Sequence, residues 1–285
     1  MAAWRGSSAP PGAGVSFHGM SGIGLGAPLW RLEAGGASVH IMGSAPPGPE
    51  PWRSAVIEAL VAEAEVFWSE TPAAGPETVP LAIQYGVVTG RPLASWIDEK
   101  TLSRVEQLAQ ELDVAASMLS AVRPWLAWQL LQNAQRERAG IPFSNGCEPV
   151  LNGVAEERGV RICHEFPTIE SVMQSFVQLS AEAEAGYLSY NLDELEAEPE
   201  VAATRRQRWE LGDLEGEDAL SERVAVLYPA FYDELVVARN RAWIGRVEEA
   251  VSEGRAFLLI GTGHLVGPGN VVALLAERGM RFARV

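Results

Sequence analysis

The chain has 285 residues, with 22 Lys and Arg against 37 Asp and Glu, and so carries a formal net charge of −15 at pH 7. That balance excludes a nucleic-acid binder, whose phosphate contacts need basic surface, and a protein drawn by charge to anionic membranes. The mean hydropathy of +0.03 fits a globular core, and no apolar run approaches the ~20 residues of a membrane span.

Residues 1–27 are rich in Gly, Ala, Ser and Pro and read as a flexible tail. They lack the continuous apolar segment of a secretion signal, which places the protein in the cytoplasm. Residues 28–285 are then expected to form a single domain. Residues 38–42 read as a strand, 43–49 as a loop, 52–63 as a helix and 66–70 as a strand ending at Glu70. From about 98 to 250 the chain turns helical. Leu102, Val105, Leu108 and Leu112 recur at spacings of three and four, and Pro124 suits a first helical position. A short helix over 149–157 leads to a strand over 160–164, which ends at Glu165. A long helical stretch starts near Thr168, and another helix covers 229–251. Acidic residues concentrate between Asp193 and Glu222, as expected of solvated helix faces.

The last unit repeats the first. Ala256 to Ile260 form an apolar run of strand length, which stops at Gly261-Thr262-Gly263-His264. A loop over 265–268, a helix over 269–278 and a strand over 280–285 follow. Strands at the two ends with helices between predict a mixed α/β fold. Its central mixed sheet is built from the terminal strand-loop-helix-strand units, with a helical insertion in the middle.

Ligands in open α/β sheets bind beyond the carboxyl ends of the strands, so the ionisable residues there are the candidates. His264 is one of four histidines. It can serve as a metal ligand or general base, or simply cap the next helix. Glu70 can bind a metal or activate water, or be a surface glutamate opening a turn. Glu165 has the same alternatives. Arg239 can pair with Glu70 or Glu165, or clamp a substrate carboxylate. Asn240 can polarise a carbonyl oxygen. The glycines of 261–267 hint at a dinucleotide fingerprint, but only 18 residues follow Gly267, too few for a complete unit. Cys147 and Cys163 are too few for a disulfide framework or a Cys-rich zinc site and read as buried thiols. Nine tryptophans supply a core or an interface and do not assign an oligomeric state.

Several markers recur in a specific order. They are Pro28-Leu29-Trp30, the Gly43 turn followed by Glu70, Pro124-Trp125, the stretch 153–165, Trp209 with Gly212-Asp213, Arg239-Asn240, and Gly261-Thr262-Gly263-His264-Leu265 with Gly267. Together they resemble the TraB/PrgY/GumN family, especially its bacterial GumN-like branch, over residues 28–285. The resemblance implies a metal-dependent, peptidase-like hydrolase, similar to Tiki-type metalloproteases, acting on a peptide or protein. It implies His264, Glu70 and Glu165 as ligands of a divalent ion such as Mn, Co or Zn, with Glu70 as ligand or base. Arg239 and Asn240 would orient substrate or ligands.

The family pattern has two Gly-x-x-His motifs, and here the first reads Gly43-Ser44-Ala45-Pro46. Proline offers no ligand atom on its side chain. His40 lies six residues upstream, roughly 20 Å away along an extended strand. His164 adjoins Glu165, but neighbouring strand residues point to opposite faces. The alternative reading is therefore a catalytically degenerate relative that works as a binding or regulatory protein, with an unrelated α/β ligand-binding domain as a third.

Overall fold

A computed structural model of the chain describes residues 27–34, 37–44, 47–196 and 199–285. Six strands form one sheet: β1 (Leu29–Ala34), β2 (Ala37–Ser44), β3 (Val66–Ser69), β4 (Arg161–His164), β5 (Arg255–Gly261) and β6 (Arg281–Arg284). Their order across the sheet is β4-β3-β5-β2-β1-β6. The first four of that order are mutually parallel, while β1 runs antiparallel to both β2 and β6.

The sheet is mixed α/β and joins the two ends of the chain, as the sequence predicts. The strand β1 is the addition. Its Leu-Trp-Arg-Leu run is short and follows Pro28, and the antiparallel partners on both sides make it a strand.

The faces of the sheet are covered by helices. The strand β2 leads through α1 (Ala55–Ala62) into β3, and the Ser54 hydroxyl accepts the Ile57 N–H to cap α1. Next come α2 (Thr78–Gly86), α3 (Glu99–Glu111), the single turn α4 (Ala116–Leu119), α5 (Pro124–Ala139) and α6 (Cys147–Arg158). After β4 the chain runs through α7 (Ile169–Val177), α8 (Ala181–Leu195), α9 (Pro199–Glu210) and α10 (Glu215–Leu227). The long helical stretch expected from Thr168 is broken between α7 and α8. Thr168 opens the first with a reciprocal capping box to Ser171, and Ser180 caps the second.

A further helix begins as α11 (Pro229–Phe231), widens into a π-turn over Tyr232–Val237 and continues as α12 (Ala238–Glu253). Finally, Asn270 caps α13 (Val271–Glu277) by accepting the Ala273 N–H.

Phe67, Met42 and Phe257 pack with α1 and α6 on one face of the sheet. Trp68, Ile41 and Leu258 pack with Trp243 and Val247 of α12 on the other. Alternation along each strand makes this division. The helices α3, α5 and α8 close over a separate apolar cluster centred on Trp125, Leu131 and Leu188. Neither cysteine forms a disulfide; Cys147 is buried as expected, whereas Cys163 is only half-buried.

Candidate functional site

Because β2, β3, β4 and β5 run parallel, their carboxyl ends reach one edge of the sheet together. Ser44 pairs with Gly261, and Ser69 pairs with His164. The strands therefore release Glu70, Glu165 and the 262–264 turn side by side. The first turn's Ala45 and Pro46 lie outside the described residues.

Arg239 reaches this edge from the first turn of α12. Its Nη2 donates to Glu70 Oε2 at 2.8 Å and to Glu165 Oε2 at 2.5 Å, and its Nε donates to Glu165 Oε1 at 2.9 Å. Both pairings that the sequence left as alternatives are thus realised in one triad. The backbone N–H of Gly261 donates to the other Glu70 oxygen. A Cβ on Gly261 would stand 2.8 Å from Glu70 Oε1 and 3.6 Å from His264 Cδ2. Glycine is what allows this close approach, and it brings Glu70 and the ring edge of His264 against one backbone position.

Asn240 defines the state of His264. Its Nδ2 donates to the Gly269 carbonyl at 2.9 Å, which fixes the amide so that Oδ1 faces His264 Nδ1 at 2.7 Å. Because Oδ1 can only accept, Nδ1 carries the proton and Nε2 holds a lone pair. Nε2 has no hydrogen-bond partner among the described residues. Burial, then the charge of Arg239, lowers the His264 pKa to about 3, so the ring is neutral.

Three carboxyl groups lie within the influence of Arg239. Burial disfavours ionisation of Glu70, but the Arg239 charge and the bonds from Arg239 and Gly261 hold its pKa at about 2. For Glu165, which is 5% exposed, burial outweighs the bonds from Arg239 and raises its pKa. Arg239, with Arg246 adding a smaller effect, does not fully compensate the burial of Glu165, which is pushed towards protonation. The third is Glu148, in the first turn of α6, with its carboxyl beside the backbone N–H groups of Glu70 and Thr71. Burial and the negative Glu70 raise its pKa to about 7.

Sequence reasoning missed Glu148 by starting that helix at Pro149. An acidic residue just before a proline at a helix start was the available signal. Of the other three histidines, His18 lies outside the described residues, and His40 and His164 lie away from this cluster. His40 sits beside Phe257 in mid-strand, with ring centroids 6.3 Å apart. His164 Nδ1 and Ser69 Oγ are 2.9 Å apart, on the side that faces Asn152 of α6.

The side chains of Glu70 and Arg239 keep 21% and 19% exposure, so the triad is open on one side. An open groove of about 650 Å³ lies just past the same strand ends, lined by Pro72, Glu77, Leu81, Pro167, Ile169 and Glu170.

A catalytic metal of the zinc type takes three protein ligands and an open position. Among the described residues no three His, Cys, Asp or Glu side chains are placed to hold an ion. Both Glu165 oxygens are on Arg239, and those of Glu70 are shared between Arg239 and Gly261. The guanidinium fills the space between the carboxylates, and His264 Nε2 remains the one uncommitted donor among the predicted ligands. The described donor set does not fit a resident metal.

Ionisable side chains at the carboxyl edge of a mixed sheet, beneath helices and beside a groove, define an α/β protein with a strand-end site. The chain belongs to the TraB/PrgY/gumN family, whose model matches residues 28–284. No curated protein and no solved structure matches it. Among the described residues no helix is long and apolar enough to cross a membrane.

Proposed function

We propose that the protein is a hydrolase acting on peptide bonds, with His264 as general base and Glu148 as general acid at the strand-end cluster. The observation that carries this reading is the hydrogen bond from His264 Nδ1–H to Asn240, which commits Nε2 to accepting a proton. Environments that drive two titratable groups apart in pKa mark out acid and base roles. Here the imidazole is held neutral and a carboxyl is kept protonated up to about 7.

In the forward step a water gives its proton to His264 Nε2 while its oxygen attacks the carbonyl carbon. Arg239 Nη1, which has no partner among the described residues, donates to the developing oxyanion. Glu148 protonates the departing amine as the tetrahedral intermediate collapses. A base with so low a pKa is fully available but weak. Glu70, beside the ring, stabilises the imidazolium that forms. Peptide specificity comes from the family resemblance, and the open groove past the strand ends is the candidate place for the substrate chain.

The test is cleavage of a fluorescence-quenched peptide library by purified protein. Activity is expected to survive dialysis against a chelator. His264→Gln should lower kcat/KM by roughly 10²-fold or more, the usual worth of a positioned base. The alkaline limb near pH 7 should disappear in Glu148→Gln. Activity that vanishes on chelation and returns with Mn, Co or Zn would replace this mechanism with a metal-dependent one.

Pro46 at the first motif's histidine position favours a second reading, a binding or regulatory protein without turnover. Cleavage seen in Pro46→His and in no other form would establish it.

A further inference from the structure

The loop between the 262–264 turn and α13 is held at three consecutive positions by helical side chains. Asp218 of α10 accepts the Gly267 N–H at 2.7 Å. Tyr232 donates its hydroxyl to the Pro268 carbonyl at 3.0 Å. Asn240 donates to the Gly269 carbonyl while its own oxygen holds His264. Tyr232 gives its only proton to Pro268, so the Ser221 hydroxyl, 3.0 Å away, is the donor in the bond between them. A relay thus runs from Ser221 through Tyr232 to the loop.

The register that makes this possible is unusual. Tyr232 and Asn240 are eight residues apart, and in a regular α-helix at 3.6 residues per turn they would point about 80° apart. The π-turn over Tyr232–Val237 absorbs one extra residue. The effective separation becomes seven, and the two side chains return to within about 20° of one face. That is what lets them grip the adjacent carbonyls of Pro268 and Gly269.

We propose that Tyr232, through the π-turn it opens, is a positioning residue for His264, holding the loop in register so that Asn240 can fix the imidazole tautomer. The inference rests on the proposed role of His264 as base, but its readout does not depend on turnover. If the loop loses Tyr232, Asn240 must hold both the ring and a moving Gly269 carbonyl. The ring's proton is then free to exchange and to change nitrogen.

With four histidines in the chain, ¹⁵N-histidine labelling of the full protein resolves each ring. The wild type should show His264 as a single tautomer protonated at Nδ1, with slow exchange of that proton. Tyr232→Phe, which removes one oxygen, should give a mixture of tautomers and about tenfold faster exchange, the effect of losing hydrogen bonds of ordinary strength. The His40 and His164 signals should not move. Ser221→Ala should show the same change in weaker form and serves in its place if Tyr232→Phe fails to fold. Tyr190→Phe is the control, because Tyr190 stacks on Phe231 in the same layer without bonding the loop. Unchanged His264 signals in folded Tyr232→Phe, or an equal change in Tyr190→Phe, would overturn the proposal. Absence of peptide cleavage with the tautomer effect intact would instead count against the hydrolase reading alone.

Discussion

At the scale of single residues, the site stores a pH dependence whose sign follows from its two opposed groups. His264 titrates at about 3 when folded and at its ordinary 6.5 when unfolded. Below 6.5 the unfolded chain takes up a proton that the folded one refuses, so this contribution to stability is complete above 6.5 and is lost as pH falls towards 3. Glu148 does the reverse. Its folded pKa of about 7 against an ordinary 4.5 means that stability is lost as pH rises from 4.5 to 7. Urea midpoints across pH will separate the two. The advantage of wild type over His264→Gln should shrink as pH falls from 7 to 4, at about 1.4 kcal/mol per pH unit in mid-window. Glu148→Gln should gain on wild type as pH rises from 4.5 to 7 and level off above it. A flat difference in either series would mean that the group is solvated in the folded protein. The sequence exposes Glu70, Glu165 and His264 because each follows a strand, and Arg239 and Asn240 as a polar pair within the last long helix. It conceals Glu148, whose position at the β3 end is set by the packing of α6 alone.

At the scale of elements, the loop over 265–270 shows two costs of a side chain in one place. Gly267 has φ +75°, and a Cβ there would run into Ser221 Oγ and Tyr232 Oη. Gly279 has φ +76° with nothing within 4 Å of a Cβ. Strain is therefore common to both positions and collision belongs to Gly267. We expect Gly279→Ala to cost about 1 kcal/mol, the lower end of backbone strain, and Gly267→Ala at least ~1 kcal/mol more, as overpacking adds. Equal losses in denaturant unfolding would show that Ser221 and Tyr232 simply move aside. The π-turn is the element that no pattern reveals. Pro229 and the apolar spacing forecast a helix there, but the extra residue matters only when both ends of that helix meet the same loop.

At the scale of the molecule, the sheet and the helical layer have different claims on stability. The strands β2 and β5 bring opposite ends of the chain together, and their fully buried core residues Ile41, Met42, Phe257 and Leu258 pack against helices on both faces. The cluster of α3, α5 and α8 is contiguous within itself and distinct from the sheet core. Amides of β2 and β5 should therefore exchange only by global unfolding, whereas those of α5 and α8 open at lower free energy as a separate unit. Identical exchange free energies in native-state hydrogen exchange would show one cooperative body instead.

By itself the sequence determined the type and approximate place of most elements, because apolar periodicity and glycine or proline punctuation are local signals. It also placed Glu70, Glu165 and His264 at the ends of their strands. Only the tertiary structure decided that one guanidinium would occupy the space between two of them, that Asn240 would set the tautomer of the third, and that Glu148 would join. Those outcomes depend on which oxygens face which donors across chain separations of 24 to 169 residues, and no local pattern encodes them.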